Sequence, residues 1–290
     1  MSFDALEQIV KQAGADGHGF FWAILEEDME ERQVSREESF GKMQQMYAAM
    51  RASDAAYDRK RKSASGFVGT DGDKLEQLVD RGQGICGSFM DQVMTRALKM
   101  GENNACMGRI VAAPTAGSCG VLPAVLLTWQ DLYEEKQERM VEALYVAAGI
   151  GEVIASRASI SGAEGGCQAE IGSASAMAAG ALTYLRGGDP GAITHAAAMA
   201  LKNLLGLACD PVAGLVEVPC VKRNVIGAVG AAAASEMAMA GIRSVIPPDE
   251  VIDAMQAIGR RMDVSIRETG EGGLAATPTG IRLTEKLREL

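Results

Sequence analysis

A chain of 290 residues with 48% hydrophobic, 23% charged and 4% aromatic content has the length of one large globular domain, and its composition is neither fibrous nor disordered. Its 28 Lys and Arg stand against 38 Asp and Glu, a formal charge of −10, so the footprint of a protein that binds nucleic acid or anionic lipid is missing; neither partner is expected. The acidic opening Met-Ser-Phe-Asp-Ala-Leu-Glu lacks the basic and apolar regions of an export signal, and the most apolar window, Val225 to Ile242, is mostly Ala and Gly around Glu236, which suits a buried helix and not a bilayer span. No membrane association and a cytoplasmic location are expected.

Helical periodicity dominates along the chain, and alternating β-branched runs are scarce. Polar, amphipathic segments predict surface helices over Phe3 to Gln12, Phe20 to Glu31 and Ser35 to Arg59, the last opened by a capping box of Ser35 with Glu38. The basic cluster Arg59 to Lys62 leads into Ser63-Ala-Ser-Gly-Phe-Val-Gly-Thr-Asp-Gly72, whose Gly and Ser content predicts a loop. Further helices are predicted at Lys74 to Arg81, Ser88 to Met100, Leu122 to Tyr133, Lys136 to Ser156, Ser173 to Leu185, Gly191 to Leu205, Asn224 to Ala240 and Pro248 to Met262. Many are dense in Ala, Gly and Met, the composition of helices buried all round. The expectation is a mainly α fold: a single Ala/Gly-rich helical domain over residues 1–290, with polar N-terminal helices at 1–62 and a core at 63–290.

Several familiar chemistries lose support on context. Gly82-Gln-Gly-Ile-Cys-Gly87 has the spacing of a dinucleotide fingerprint, yet Leu75, Leu78 and Val79 before it follow a helical period where that motif needs a strand. No phosphate-loop, H-E-x-x-H or C-x-x-C motif occurs, and His18 and His195 are the only histidines. Six Cys in a reducing compartment read as thiols or metal ligands and not as a disulfide framework. Cys167 lies in Ser161-Gly-Ala-Glu-Gly-Gly-Cys-Gln-Ala-Glu170, and Cys209 and Cys220 bound the stretch Cys209-Asp-Pro through Pro-Cys-Val-Lys-Arg-Asn224. Gly and Pro neighbours suit a cluster ligand, because backbone has to approach inorganic sulfide closely. On residue types alone, three buried thiols of ordinary packing remain the other reading.

Three blocks decide between them by resemblance: Ala113-Pro-Thr-Ala-Gly-Ser-Cys-Gly-Val-Leu-Pro-Ala124, Gly165-Gly-Cys-Gln-Ala-Glu-Ile-Gly-Ser-Ala174, and Cys209-Asp-Pro with Arg223-Asn224. Together they resemble the alpha chain of the iron-sulfur-dependent L-serine dehydratases, over nearly the whole chain from Lys62-Ser-Ala-Ser-Gly66 to Gly273-Leu-Ala-Ala-Thr-Pro-Thr-Gly280. The resemblance implies that Cys167, Cys209 and Cys220 hold a [4Fe–4S] cluster with one iron free of protein thiolate, and that Cys86, Cys106 and Cys119 are not ligands. It implies conversion of L-serine to pyruvate and ammonia, the open iron acting as a Lewis acid. It also implies a separate beta chain, because the longer single-chain members carry an additional domain before this region. A Cys-bearing tail that caps the iron in some relatives has no counterpart here, Cys220 being the last Cys.

Substrate-binding candidates are Thr115, Gly117 and Ser118 in the Pro-Thr-Ala-Gly-Ser turn, Arg223 and Asn224 with neighbouring Lys222, and Ser63 and Ser65 in a loop able to close over the site. Lys62, His195 and Glu164 are the candidate bases, and the sequence does not choose among them. The competing function is a redox or sensor protein using the same thiols without turnover; a pyridoxal-phosphate enzyme is disfavoured because its strands and phosphate loop are missing.

Overall fold

The computed structural model describes residues 3–14 and 16–289. Thirteen α-helices are formed among them: α1 (Leu6–Ala13), α2 (Gly17–Arg32), α3 (Arg36–Ala55), α4 (Asp71–Asp80), α5 (Ser88–Ala105), α6 (Val121–Tyr133), α7 (Gln137–Arg157), α8 (Gly162–Gly165), α9 (Ser173–Leu185), α10 (Pro190–Lys202), α11 (Cys220–Met239), α12 (Pro248–Arg261) and α13 (Pro278–Arg288). Among the described residues there is no strand; the one isolated bridge is parallel and joins Cys209 to Arg267. No helix among them is long and apolar enough to cross a membrane. The mainly α expectation is met.

Small side chains explain the centre of the fold. Every residue of α9 is buried, and α6, α7, α10 and α11 pack around it. Ala, Gly and Ser at each face let four neighbours approach at once. At Gly180 a Cβ would sit 2.2 Å from Cδ1 of Ile150 of α7, so glycine lets that side chain lie directly on the helix. Two of the hydroxyls that this helix buries are satisfied by neighbours: Ser175 Oγ donates to Gly227 O at 2.7 Å, and Thr183 Oγ1 donates to Ala179 O at 2.8 Å and lies 3.0 Å from Ser235 Oγ of α11; Ser173 Oγ has no partner among the described residues.

Local signals hold at several helix starts. Ser35 and Glu38 make the expected capping box of α3, and Asp189 and Thr277 accept from backbone N–H groups at the starts of α10 and α13. The N-terminal helices are not all surface helices, however. Phe20, Phe21, Ile24 and Leu25 of α2 are fully buried and join the main core beside Tyr145 and Leu144 of α7. Their burial on a helix with little amphipathic contrast overrides the polar reading of that third. Six elements escape the periodicity argument: the four-residue α8, a π turn at Gln168–Gly172, single 3-10 turns at Val212–Gly214, Val264–Ile266 and Gly273–Ala276, and α13. Helix α11 also starts at Cys220 and not at Asn224, which moves that cysteine from a loop onto a helix end.

Candidate metal centre

Cys167 and Cys209 come together at the N-terminal end of α9, and Cys220, on a third segment, lies outside the group whose ligand atoms are all within 4.8 Å of one another but near enough for the charge of Cys167 to reach it. Cys167 stands at the entrance to the π turn, which runs directly into α9. π turns of this kind recur at functional sites because they change which side chains share a face. Gln168, fully buried, anchors the turn: its Nε2 donates to Met255 O at 3.0 Å, its Oε1 accepts from Gly206 N at 2.9 Å, and its backbone N–H reaches Leu207 O at 3.1 Å. Cys209 is held through its backbone, with its N–H donating to Ile266 O at 2.8 Å and its carbonyl accepting from Glu268 N at 2.7 Å. Cys220 is the first residue of α11, where the helix dipole favours a thiolate.

A carboxylate joins the thiols. The Sγ atoms of Cys167 and Cys209 and an oxygen of Glu170 all lie within 4.8 Å of one another, and Cys209 Sγ is 3.8 Å from Glu170 Oε2. Arg223 brings a compensating charge, its guanidinium 3.4 Å from Cys167 Sγ and 2.8 Å from both Ala208 O and Asp210 Oδ1. Donation from Cys209 lowers the Cys167 pKa, and Arg223 adds to the effect against the cost of burial. Burial pushes Cys220 up to about 12, with the charges of Cys167 and Glu170 contributing. Glu170 is raised above the usual carboxylate range, chiefly by burial and further by Glu268, although a 2.7 Å bond from Thr115 Oγ1 opposes the shift. Gly162 leaves room for the cluster of donors: a Cβ there would sit 2.8 Å from Glu170 Oε2 and 3.0 Å from Cys209 Sγ.

The turn carrying Thr115, Gly117 and Ser118 faces this centre. Thr115 bonds Glu170, Ser118 Oγ accepts from Thr115 N at 3.3 Å, and a Cβ on Gly117 would lie 3.1 Å from Glu170 Oε1. Asn224 has a different task. Its Oδ1 accepts from Gly120 N at 2.8 Å, and its Nδ2 donates to Gly117 O at 2.8 Å and Cys220 O at 3.0 Å, so the buried amide ties the 117–120 turn to the first turn of α11. Beside the turn lies a cavity of about 930 Å³, bordered by Ser65, Asn104, Ala116, Val216, Glu217 and Arg288 among others. Val216 belongs to both regions, its Cγ1 being 3.5 Å from the Cβ position on Gly117.

Other expected residues fall elsewhere. Ser63 and Ser65 both turn their hydroxyls toward Glu217. Lys62, beside them, is exposed. Lys222 extends to Asp71 Oδ2 at 2.9 Å on the surface. Glu164, three residues before Cys167, accepts from Ser159 Oγ at 2.6 Å and lines a separate cavity of about 320 Å³ with Arg260 and Arg267. His195 is distant in its contacts: its Nδ1 accepts from Ser244 N at 3.2 Å, and it borders a cavity with Leu6, Arg157 and Asp249 that contains no cysteine. Cys119 is buried with its thiol against Met100 O, Cys106 faces Arg61 O, and Cys86 is exposed, so none of them joins the three. Glu170 is the residue that sequence reasoning passed over. Its position three after Cys167, which on a helical turn shares a face with it, was the available signal.

Comparison with known proteins follows the same segments. The profile of the family described as serine dehydratase alpha chain matches residues 17–275. The chain is 47% identical over 264 residues to a probable L-serine dehydratase alpha chain of Bacillus subtilis, a match covering 91% of this chain and 88% of that one. It is 39% identical over 278 residues to the L-serine dehydratase alpha chain of Peptoniphilus asaccharolyticus, covering 95% of each. With an L-serine dehydratase of Escherichia coli it shares 46% identity over 190 residues, which are 65% of this chain and 42% of the longer protein.

Proposed function

The chain belongs to the serine dehydratase alpha-chain family, and from that premise we propose that it is the catalytic subunit of an L-serine ammonia-lyase whose thiols Cys167, Cys209 and Cys220 hold a [4Fe–4S] cluster. The observation that carries the reading is the convergence of thiols and a half-buried carboxylate, with a guanidinium against them, beside a cavity large enough for an amino acid. The donors fit the group: thiolates are the soft ligands that iron-sulfur clusters take, Arg223 offsets their charge, and Gly162 keeps their meeting point open. Three thiolates leave one corner of such a cluster without a protein thiolate, and when bound it supplies a Lewis acid for the substrate's hydroxyl and carboxylate.

The chain's own residues then supply the rest. Glu170 accepts the α-proton: it is the carboxylate among the thiols, and its raised pKa brings it nearer the range in which a carboxylate exchanges protons at neutral pH. Thr115 orients Glu170 through the bond from its hydroxyl, and Ser118 braces Thr115. Loss of the α-proton and of the β-hydroxyl as water leaves aminoacrylate, whose imine tautomer takes up water to give pyruvate and ammonium. Lys62, Glu164 and His195 are less suited to this step because their contacts lie away from the thiols. Arg223 holds Cys167 and Asp210 and acts on the site through its charge.

A beta chain completes the enzyme in this reading, consistent with the alpha-chain names of the relatives and the greater length of the E. coli protein. The test is anaerobic reconstitution with ferrous iron and sulfide, followed by measurement of pyruvate from L-serine with and without a purified beta chain. Iron-dependent turnover, raised by the second chain, is expected. A reconstituted four-iron protein that forms no pyruvate in either assay would leave a redox or sensor role in its place.

A further inference from the structure

Glu217 is buried beside the cavity with no cation against it. It is 7% exposed, and among the described residues no ion pair involves it. Its Oε2 accepts from Ser63 Oγ at 2.8 Å and from Ser65 Oγ, and its backbone carbonyl accepts from Val221 N in the first turn of α11. Two hydroxyl donors occupy part of what an ionised carboxylate can accept, and they bring no positive charge. Desolvating such a group is unfavourable unless a cation reaches it. The space it borders is the cavity that shares Val216 with the Thr115 to Ser118 turn, and Arg288, the only cationic residue on that cavity's wall among the described residues, makes no ion pair with it there.

An α-amino acid differs from the corresponding acid without nitrogen by its ammonium group, and a carboxylate held by neutral donors on the wall of the cavity beside the Thr115 to Ser118 turn is the complement of that group. We propose that Glu217 recognises the α-ammonium of the substrate, with Ser63 and Ser65 fixing the carboxylate that does so. The proposal rests on the dehydratase reading above and deepens it by naming what restricts the site to amino acids. The hydroxyls of Ser63 and Ser65 become positioning groups, one step removed from the substrate contacts expected of them from the loop's composition. Glu170 and Glu217 thereby divide the work: one faces the thiols and the other faces the substrate's amino group.

The experiment uses the reconstituted holoenzyme with its beta chain and compares L-serine with 3-hydroxypropionate, which keeps the hydroxyl and carboxylate and lacks the amino group. Glu217→Gln should raise the KM for L-serine on the order of 100-fold, the usual consequence of removing one charge of a desolvated pair, with kcat and iron content little changed. The inhibition constant of 3-hydroxypropionate should stay where it is. Equal weakening of both compounds would reduce Glu217 to a loop anchor and overturn the proposal, as would an unchanged KM. Glu217→Asp keeps the charge one methylene shorter and serves if the Gln variant folds poorly or if 3-hydroxypropionate binds neither protein. Its KM should lie between those of wild type and Gln or, without a folded Gln variant, above wild type with iron content retained; a KM equal to wild type, or to that of Gln, contradicts ammonium recognition. Absence of pyruvate with the wild-type holoenzyme defeats the dehydratase reading and this proposal with it, whereas the other failures defeat the proposal alone.

Discussion

Replacing Asn224 with Ala separates a tether from a substrate contact. The amide makes three bonds, accepting from Gly120 N and donating to Gly117 O and Cys220 O, and it is 1% exposed. Each bond contributes about 0.5 to 1.5 kcal/mol net, and a buried N–H left unpaired costs about 1 to 3 kcal/mol. Water entering the space would recover part of this, so a loss of about 3 kcal/mol is expected. At roughly 2 to 4 °C per kcal/mol for a large domain, the Tm of the metal-free protein should fall by roughly 6 to 12 °C. Iron loading should fall too, because the Cys220 turn and the 117–120 turn lose their common anchor. Differential scanning calorimetry before and after reconstitution is the assay. A Tm unchanged from wild type, together with a raised KM for L-serine at full iron content, would refute the tether and restore Asn224 as a substrate contact.

Other outcomes follow from the same geometry. Cys167→Ser, Cys209→Ser and Cys220→Ser should each lose bound iron and sulfide, whereas Cys86→Ala, Cys106→Ala and Cys119→Ala should retain them in a metal analysis of the six proteins; iron lost from Cys119→Ala and kept by Cys167→Ser would reverse the ligand assignment. Gly162→Ala should keep its fold, since alanine favours a helical position by about 0.5 to 1 kcal/mol and the exposed end of Glu268 can give way. It should nonetheless bind little iron, because Cys209 Sγ, 3.0 Å from the new methyl, is fixed through its backbone bonds; full loading would contradict a cluster at this point. Loading should also depend on pH. Burial pushes the Cys220 thiol up to about 12, and the hydrogen bond with Cys167, with burial, raises Cys209 as well, so both should enter the site protonated and release protons on binding. Affinity for iron should therefore rise as pH rises, by about two log units per pH unit across the neutral range, and a flat profile in chelator competition would show that the thiols are not the ligands.

Legibility varied with the range of the interaction. Helix α9 was readable to its ends because a run dense in Ala, Gly and Ser, with Met and Leu and no charge, suits only a packed interior, and the Ser35 to Glu38 box is a local device complete within four residues. Phe20 to Leu25 misled because burial of α2 is decided by α7, which lies far along the chain. The three cysteines were picked from their Gly and Pro surroundings and from resemblance. Their partner Glu170 was not, because its spacing of three from Cys167 becomes a shared face only once the π turn forms, and nothing local announces that turn. The two serines of the 63–66 loop stood out in the sequence, but their acceptor Glu217 lies more than 150 residues away, and only the tertiary fold reveals what they hold. His195 was chosen by residue type alone, and residue type says nothing of location.

The central claim is that the iron lacking a protein thiolate meets the substrate. Mössbauer spectroscopy of protein reconstituted with iron-57, recorded before and after L-serine is added without oxygen, tests it most directly. One iron of the four should change its isomer shift and quadrupole splitting toward those of a more highly coordinated, oxygen-ligated site, while the three held by Cys167, Cys209 and Cys220 keep theirs. Deamination of L-serine at full rate by a protein whose four irons are all unchanged would contradict it.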